Sequence, residues 1–204
     1  MPAPHEMQVA GDDPFAARVW NSLLHMAREL ASDSAKSSSA DAATQAPRLE
    51  PGQEKALVAV MLAGVATEFR LKRTLIFFGK RKAAKEKKFE DLIDGVWDLL
   101  RPSPRWKGNQ DGGQGNCAKP ESWPQVKQEL HALRAKRNQI AHADIESLRQ
   151  WLGETAGEAT RQAAIAAVNT AVSAIEALKE GTGYFAGPWS EARKELDALR
   201  LEPK

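Results

Sequence analysis

Apolar residues recur every three to four positions along most of the chain, and no stretch alternates with a period of two. Residues 14–31 place Phe15, Val19, Leu23, Met26 and Leu30 on one helical face. Asp13 can accept the orphan amides at the start, and Pro14 suits the first helical position. From residue 51 a long helix carries Leu57, Met61, Val65, Leu75 and Phe78, so densely apolar that most of its circumference should be buried. Residues 87–100 present Phe89, Ile93, Val96, Trp97 and Leu100, and Pro102 and Pro104 end that helix. A fourth helix starts near Trp123 or Pro124 and reaches Ala143. A short helix at 144–152 either follows it or continues it. Residues 154–179 set Ile165, Val168, Val172, Ile175 and Leu178 on one stripe, stopped by Gly181 and Gly183. A final, more polar helix covers 188–201. The expected architecture is all-α, an antiparallel helical bundle of about five or six helices.

The intervening composition divides the chain. Residues 33–50 are Ser, Ala, Asp and Thr without hydrophobic periodicity and read as a flexible linker. Residues 1–32 then form an N-terminal helical arm, a candidate to pack on a partner. Residues 51–180 form the main bundle and 181–204 a C-terminal helix. The connection at 102–124 is rich in Gly and Pro, with Arg105, Trp106 and Lys107 near its start. Its length suits either a functional loop or a disordered one.

Composition narrows the class. Hydrophobic residues make up 42% of the 204, enough for a core, while aromatic residues are only 6%, which disfavours an all-β domain. The single cysteine, Cys117, excludes an internal disulfide, and no Cys/His cluster supplies zinc ligands. No secretory leader or membrane-length apolar run is visible, so the expected location is cytoplasmic, with no cofactor, no metal and no membrane partner. The net charge of +2 conceals segregation. Residues 72–88 hold eight Lys and Arg against one Glu, a local +7 that leaves −5 for the remainder.

The fourth helix contains the informative anomaly. Its apolar stripe runs Val126, Leu130, Leu133, Arg137, Ile140, so arginine stands where the pattern asks for a hydrophobe. A buried guanidinium must be paired, wet or at an interface, or else snorkel. Asn138 and His142, four apart, share a helix face, so the amide can set the imidazole's tautomer. Arg137 is about 140° round the helix from His142. One copy therefore points these two groups apart, whereas two copies about a dimer axis can bring both pairs into one cleft. Arginine offers planar donors for phosphate, and histidine moves protons near neutrality.

The run Arg137-Asn138-Gln139-Ile140-Ala141-His142, on an amphipathic helix of a small all-α bundle, resembles the signature of the HEPN family (higher eukaryotes and prokaryotes nucleotide-binding domains). That signature is Arg, four to six residues, then His, often with a polar residue directly after the Arg. The resemblance covers residues 51–179. It implies a metal-independent endoribonuclease whose Arg/His pairs meet across a homodimer interface. His142 would serve as general base or acid, Arg137 would stabilise the phosphorane-like transition state, and Asn138 would position substrate or His142. The products would carry 2′,3′-cyclic phosphate and 5′-hydroxyl ends. Many members are toxins or defence effectors restrained by an antitoxin or other regulatory protein; others are non-catalytic nucleotide- or RNA-binding or protein-interaction modules. Some carry a tyrosine two residues after the His that the antitoxin modifies. Asp144 stands there in this chain.

Arg18 and His25 also fit the loose spacing, but Val19 follows the Arg, and His25 reads as structural or surface. Met61, Glu68 and Leu75 are seven apart, so Glu68 too lies on an apolar face. It either pairs with Arg137 or orients His142, or else sits at the stripe's edge beside Arg70, Lys72 or solvent. Lys80, Arg81, Lys82, Lys85, Lys87 and Lys88 either follow an RNA backbone or form a solvated turn. Phe77 and Phe78 read as the end of a core helix rather than a stacking platform. His131 reads as surface, His5 as part of a mobile terminus, and Cys117 has no basic partner that would make it a nucleophile.

Overall fold

The computed structural model describes residues 14–34, 51–100, 119–142, 158–182 and 189–202. Among these the protein is all-α, with seven helices and no strand. They are α1 (Pro14–Ser34), α2 (Pro51–Phe77), α3 (Arg81–Glu86), α4 (Phe89–Leu99), α5 (Trp123–Ala141), α6 (Glu158–Thr182) and α7 (Trp189–Asp197). The expected helix at 144–152, most of the 102–124 connection, residues 35–50, His5 and Cys117 lie outside the described residues.

Helix α2 is the centre of the fold and packs against α1, α3, α4, α5 and α6. Its sequence explains this position. Ala56, Ala59, Ala63 and Ala66 repeat at 3-4-3 spacing and are fully buried, so neighbouring helices can approach closely over small side chains. Val60, Leu71 and Leu75 add bulk at zero exposure. Each such leucine contributes about 2–3 kcal/mol of apolar burial. The other main support, α6, buries the whole expected stripe from Ile165 to Leu178 and packs on α1, α2, α5 and α7.

Several expectations change. Helix α1 lies along α2 and α6 of its own chain, with Leu24, Ala27 and Ala31 fully buried, so it belongs to the shared core. Its buried face is rotated from the expected one: Leu23 and Leu30 are only partly buried and Met26 is 50% exposed. The reason is that alanines, neutral in a pattern of large apolar residues, form the contact surface. The helix also continues through Ser34, whose hydroxyl donates to Ala31 O at 2.7 Å. Helix α6 runs through Gly181, which is helical and buried, and ends at Thr182.

The basic segment is not a plain turn. Helix α2 closes with Gly79 at φ +75°, Gly79 N donating to Ile76 O (2.9 Å) and Lys80 N to Leu75 O (2.8 Å). This pair of bonds is a Schellman closure, which needs a left-handed residue that glycine supplies without strain. A short helix, α3, follows and buries Ala84. Helix α4 then begins with Lys88 N donating to Asp91 Oδ2 at 3.2 Å. Phe77 and Phe78 meet edge to face at 5.3 Å, and Phe78 packs on the core, as expected for a helix end.

Candidate functional site

Helix α5 starts at Trp123, which is 1% exposed and stacks edge to face on Trp97 of α4 at 5.3 Å. Val126, Leu130 and Leu133 are buried in register. With these anchors set, the next stripe position faces the bundle whatever residue occupies it, and that residue is Arg137.

The fold meets this charge with three contacts. Arg137 Nη1 lies 3.0 Å from Glu68 Oε2, its guanidinium sits 5.7 Å over the Phe89 ring, and its aliphatic stem crosses Gly64. A Cβ at position 64 would come within 2.9 Å of Arg137 Cδ, so the missing side chain of Gly64 is the space the arginine stem uses. Glu68 is shared: its Oε1 accepts Lys72 Nζ at 2.7 Å, one turn further along α2. The Glu68 and Arg137 side chains are 18% and 24% exposed, partly shielded from water. One carboxylate therefore carries two cations in an environment that strengthens both pairs.

Both anomalous stripe charges thus meet, Glu68 pairing with Arg137 and with Lys72 at once. Glu68 does not orient His142. The His142 residue is exposed at the C-cap of α5, its backbone N–H donating to Asn138 O at 2.9 Å. Among the described residues its imidazole forms no hydrogen bond or ion pair, and the Asn138 amide does not engage it. On ideal helix geometry Arg137 and His142 are offset by about 140° round α5 and about 7.5 Å along its axis.

The rest of α5 is fastened to α4 by charge. Arg134 Nη1 lies 2.7 Å from Glu90 Oε2, and Asp94 Oδ1 accepts from Lys127 at 2.8 Å and contacts His131 Nε2 at 3.0 Å. His131 is therefore part of an interhelical clasp and not a bare surface residue. The Lys127 hydrogen bond holds the Asp94 carboxyl below its ordinary pKa, against an opposing effect of desolvation, and His131 adds to the lowering. By contrast, Lys80, Arg81, Lys82, Lys85, Lys87 and Lys88 form no ion pair among the described residues. Arg81, Lys82, Lys85 and Lys88 are mostly exposed, and Lys80 and Lys87 half-buried. His25 is exposed on α1.

Gly64 and Phe89 were not singled out in the sequence as parts of this site. An isolated glycine inside a strongly helical segment is a usable signal, because it costs about 1 kcal/mol relative to alanine and needs a packing reason. Phe89 gives no such signal, since it reads as ordinary core. Among the described residues no group of three or more His, Cys, Asp or Glu is placed to hold a metal ion, and no helix is long and apolar enough to cross a membrane. Comparison with protein-family models, curated proteins and solved structures returns no match.

Proposed function

We propose that the protein is a HEPN-like, metal-independent endoribonuclease that acts as a homodimer, in the manner of a cytoplasmic toxin or defence effector held by a neutralising partner. The observation that carries the reading is the end of α5. A shielded arginine held by a carboxylate is followed, about one and a half turns on, by an exposed helix-terminal histidine with no partner among the described residues. His142 would take the proton from a ribose 2′-hydroxyl as its oxygen attacks the adjacent phosphorus. The bond from phosphorus to the 5′-oxygen would break as that oxygen takes a proton from water or from the protonated His142 imidazole, leaving a 2′,3′-cyclic phosphate and a 5′-hydroxyl. Arg137 would meet the extra negative charge on the phosphoryl oxygens, and Asn138 would position the substrate. Glu68 would support Arg137 by fixing the guanidinium beforehand. Since Arg137 and His142 of one chain are offset by about 140° round α5 on ideal helix geometry, the reading requires a second protomer to complete the cleft. The unpaired cations from Lys80 to Lys88 would follow the RNA backbone.

The test is cleavage of a mixed-sequence RNA by purified protein. His142→Ala and Arg137→Ala should each abolish cleavage while the protein retains its helical circular dichroism, and EDTA should leave the wild-type rate unchanged. Cleavage unaltered in both variants would remove the reading.

One observation favours a second reading, a non-catalytic HEPN-like nucleotide- or RNA-binding or protein-interaction module. The Gly64 slot, the Phe89 ring and Glu68 together make Arg137 a brace between α2, α4 and α5. If that is its whole role, Arg137→Ala lowers stability and the wild type has no nuclease activity to lose.

A further inference from the structure

The Arg137–Glu68–Lys72 group is left with an excess positive charge. The Glu68 carboxylate gives Oε2 to Arg137 Nη1 (3.0 Å) and Oε1 to Lys72 Nζ (2.7 Å), so two cations share one anion. The other carboxylates at hand are committed elsewhere. Glu90 and Asp91, which follow Phe89 on α4, are taken by Arg134 Nη1 (2.7 Å) and by the Lys88 main-chain N–H (3.2 Å). Glu129, the acidic residue of α5, lies about two turns before Arg137 and accepts from Gln125 at 3.0 Å. On α2, Glu68 is itself the last acidic residue.

Both cations keep donors for another acceptor. Each contact with Glu68 uses one N–H of a group that has several. Among the described residues Arg137 makes no other hydrogen bond or ion pair, and none of its nitrogens is both buried and unpartnered, so the remaining N–H groups reach water. The Lys72 side chain is 33% exposed. The guanidinium is also set before any ligand arrives: Gly64 gives its stem a slot, the buried Phe89 ring lies beneath it, and Glu68 fixes Nη1. A group held in this way loses little freedom on binding. Its planar donors match two oxygens of a phosphate, and Lys72 supplies a point charge beside it. A phosphodiester carries a single negative charge and balances the group. A doubly charged phosphate monoester would leave excess negative charge beside Glu68.

We infer that Arg137 and Lys72, both set by Glu68, form a clamp for one backbone phosphodiester of RNA, which makes Lys72 a second phosphate-binding residue. The inference rests on the RNA reading above for the identity of the anion, and it does not require that the strand be cleaved.

A fully 2′-O-methylated oligonucleotide of mixed sequence has no free 2′-hydroxyl to attack its phosphates and reports binding alone. Bound to the wild-type protein, it should slow acylation of Lys72 by an amine-reactive reagent, read by peptide mass spectrometry. Lys55, near the other end of α2 and paired with Asp33, should react at an unchanged rate. Lys72→Gln should weaken binding about tenfold, and Lys72→Arg should restore most of it. In a Glu68→Gln background the loss on Lys72→Gln should persist, because a direct phosphate contact does not depend on a carboxylate to neutralise. Disappearance of the loss there would make Lys72 a counter-charge for Glu68 and overturn the inference. So would acylation of Lys72 at the same rate with and without the oligonucleotide, or failure of the oligonucleotide to bind the wild type. Protection of Lys72 without cleavage of ordinary RNA would support the clamp and remove the ribonuclease reading; cleavage without protection would do the reverse.

Discussion

Arg137 and Glu68 meet at 3.0 Å across the α2–α5 contact, each standing in an otherwise apolar stripe of its own helix. Either charge alone on such a face would be costly; together, with Lys72 on the second Glu68 oxygen, they make a compact polar joint. Replacing Glu68 by Gln leaves two partly shielded cations without their counter-charge. We expect Glu68→Gln to destabilise the protein by about 1–3 kcal/mol, read from urea unfolding. A double-mutant cycle with Arg137→Met should show coupling between the two sites; strict additivity would mean that the pair contributes nothing.

Gly64 gives a sign test of the same joint. In the wild type, Gly64→Ala adds helix propensity of about 1 kcal/mol but drives a methyl against the Arg137 stem at 2.9 Å. In an Arg137→Ala background the obstacle is gone, so Gly64→Ala should stabilise by about 0.5–1 kcal/mol. Gly64→Leu in the wild type should cost about 1–3 kcal/mol through overpacking. Thermal or urea unfolding of the single and double variants measures all of these. If Gly64→Ala has the same effect in both backgrounds, the slot is contradicted.

The Asp94 clasp predicts a pH dependence. Its carboxyl is held below the ordinary value of 3.8, first by the Lys127 hydrogen bond. A group whose folded pKa is depressed contributes stability that is complete above its unfolded value and lost as pH falls through the folded one. Asp94→Asn should therefore lower Tm most above about pH 5, and the two curves should converge as pH falls below about 3.8. A Tm difference that grew with acidification would have the wrong sign.

If the cations between Lys80 and Lys88, which form no ion pair among the described residues, follow an RNA backbone as proposed, binding should be salt-sensitive. Each phosphate contact on single-stranded RNA contributes about 0.7 to the slope of log K against log salt. Replacing Arg81, Lys82 and Lys85 by Gln should reduce that slope by up to about 2, measured with a labelled oligonucleotide and an inert His142→Ala protein. An unchanged slope would make this segment a solvated helix and nothing more.

Much of this fold can be read from the pattern of residues, because helical periodicity is local. The α5 and α6 stripes are buried in the expected register, and Arg137 stands out because Leu133 and Ile140 flank it at helical spacing. Two features were hidden for different reasons. The buried face of α1 is built from Ala27 and Ala31, whose small side chains carry little hydrophobic signal yet allow close helix contact. Helix α3 is a short piece whose start depends on the Gly79 closure and on burial of Ala84, and in the sequence it looks only like a run of charge.

The order of amino acids was enough to mark an all-α protein, the places of its long helices, and Arg137 and Glu68 as interruptions of apolar faces. Periodicity reports which side of a helix is buried, and it does so within a few turns of chain. Which side chains meet depends on how the helices pack together. Glu68 with Arg137, Glu90 with Arg134, Asp94 with Lys127 and His131, and Glu176 with Arg193 and Arg200 are pairings between separate segments of the chain. Charge attraction has no sequence register of its own, so each carboxylate had several cations to choose from until packing of the apolar faces fixed the distances.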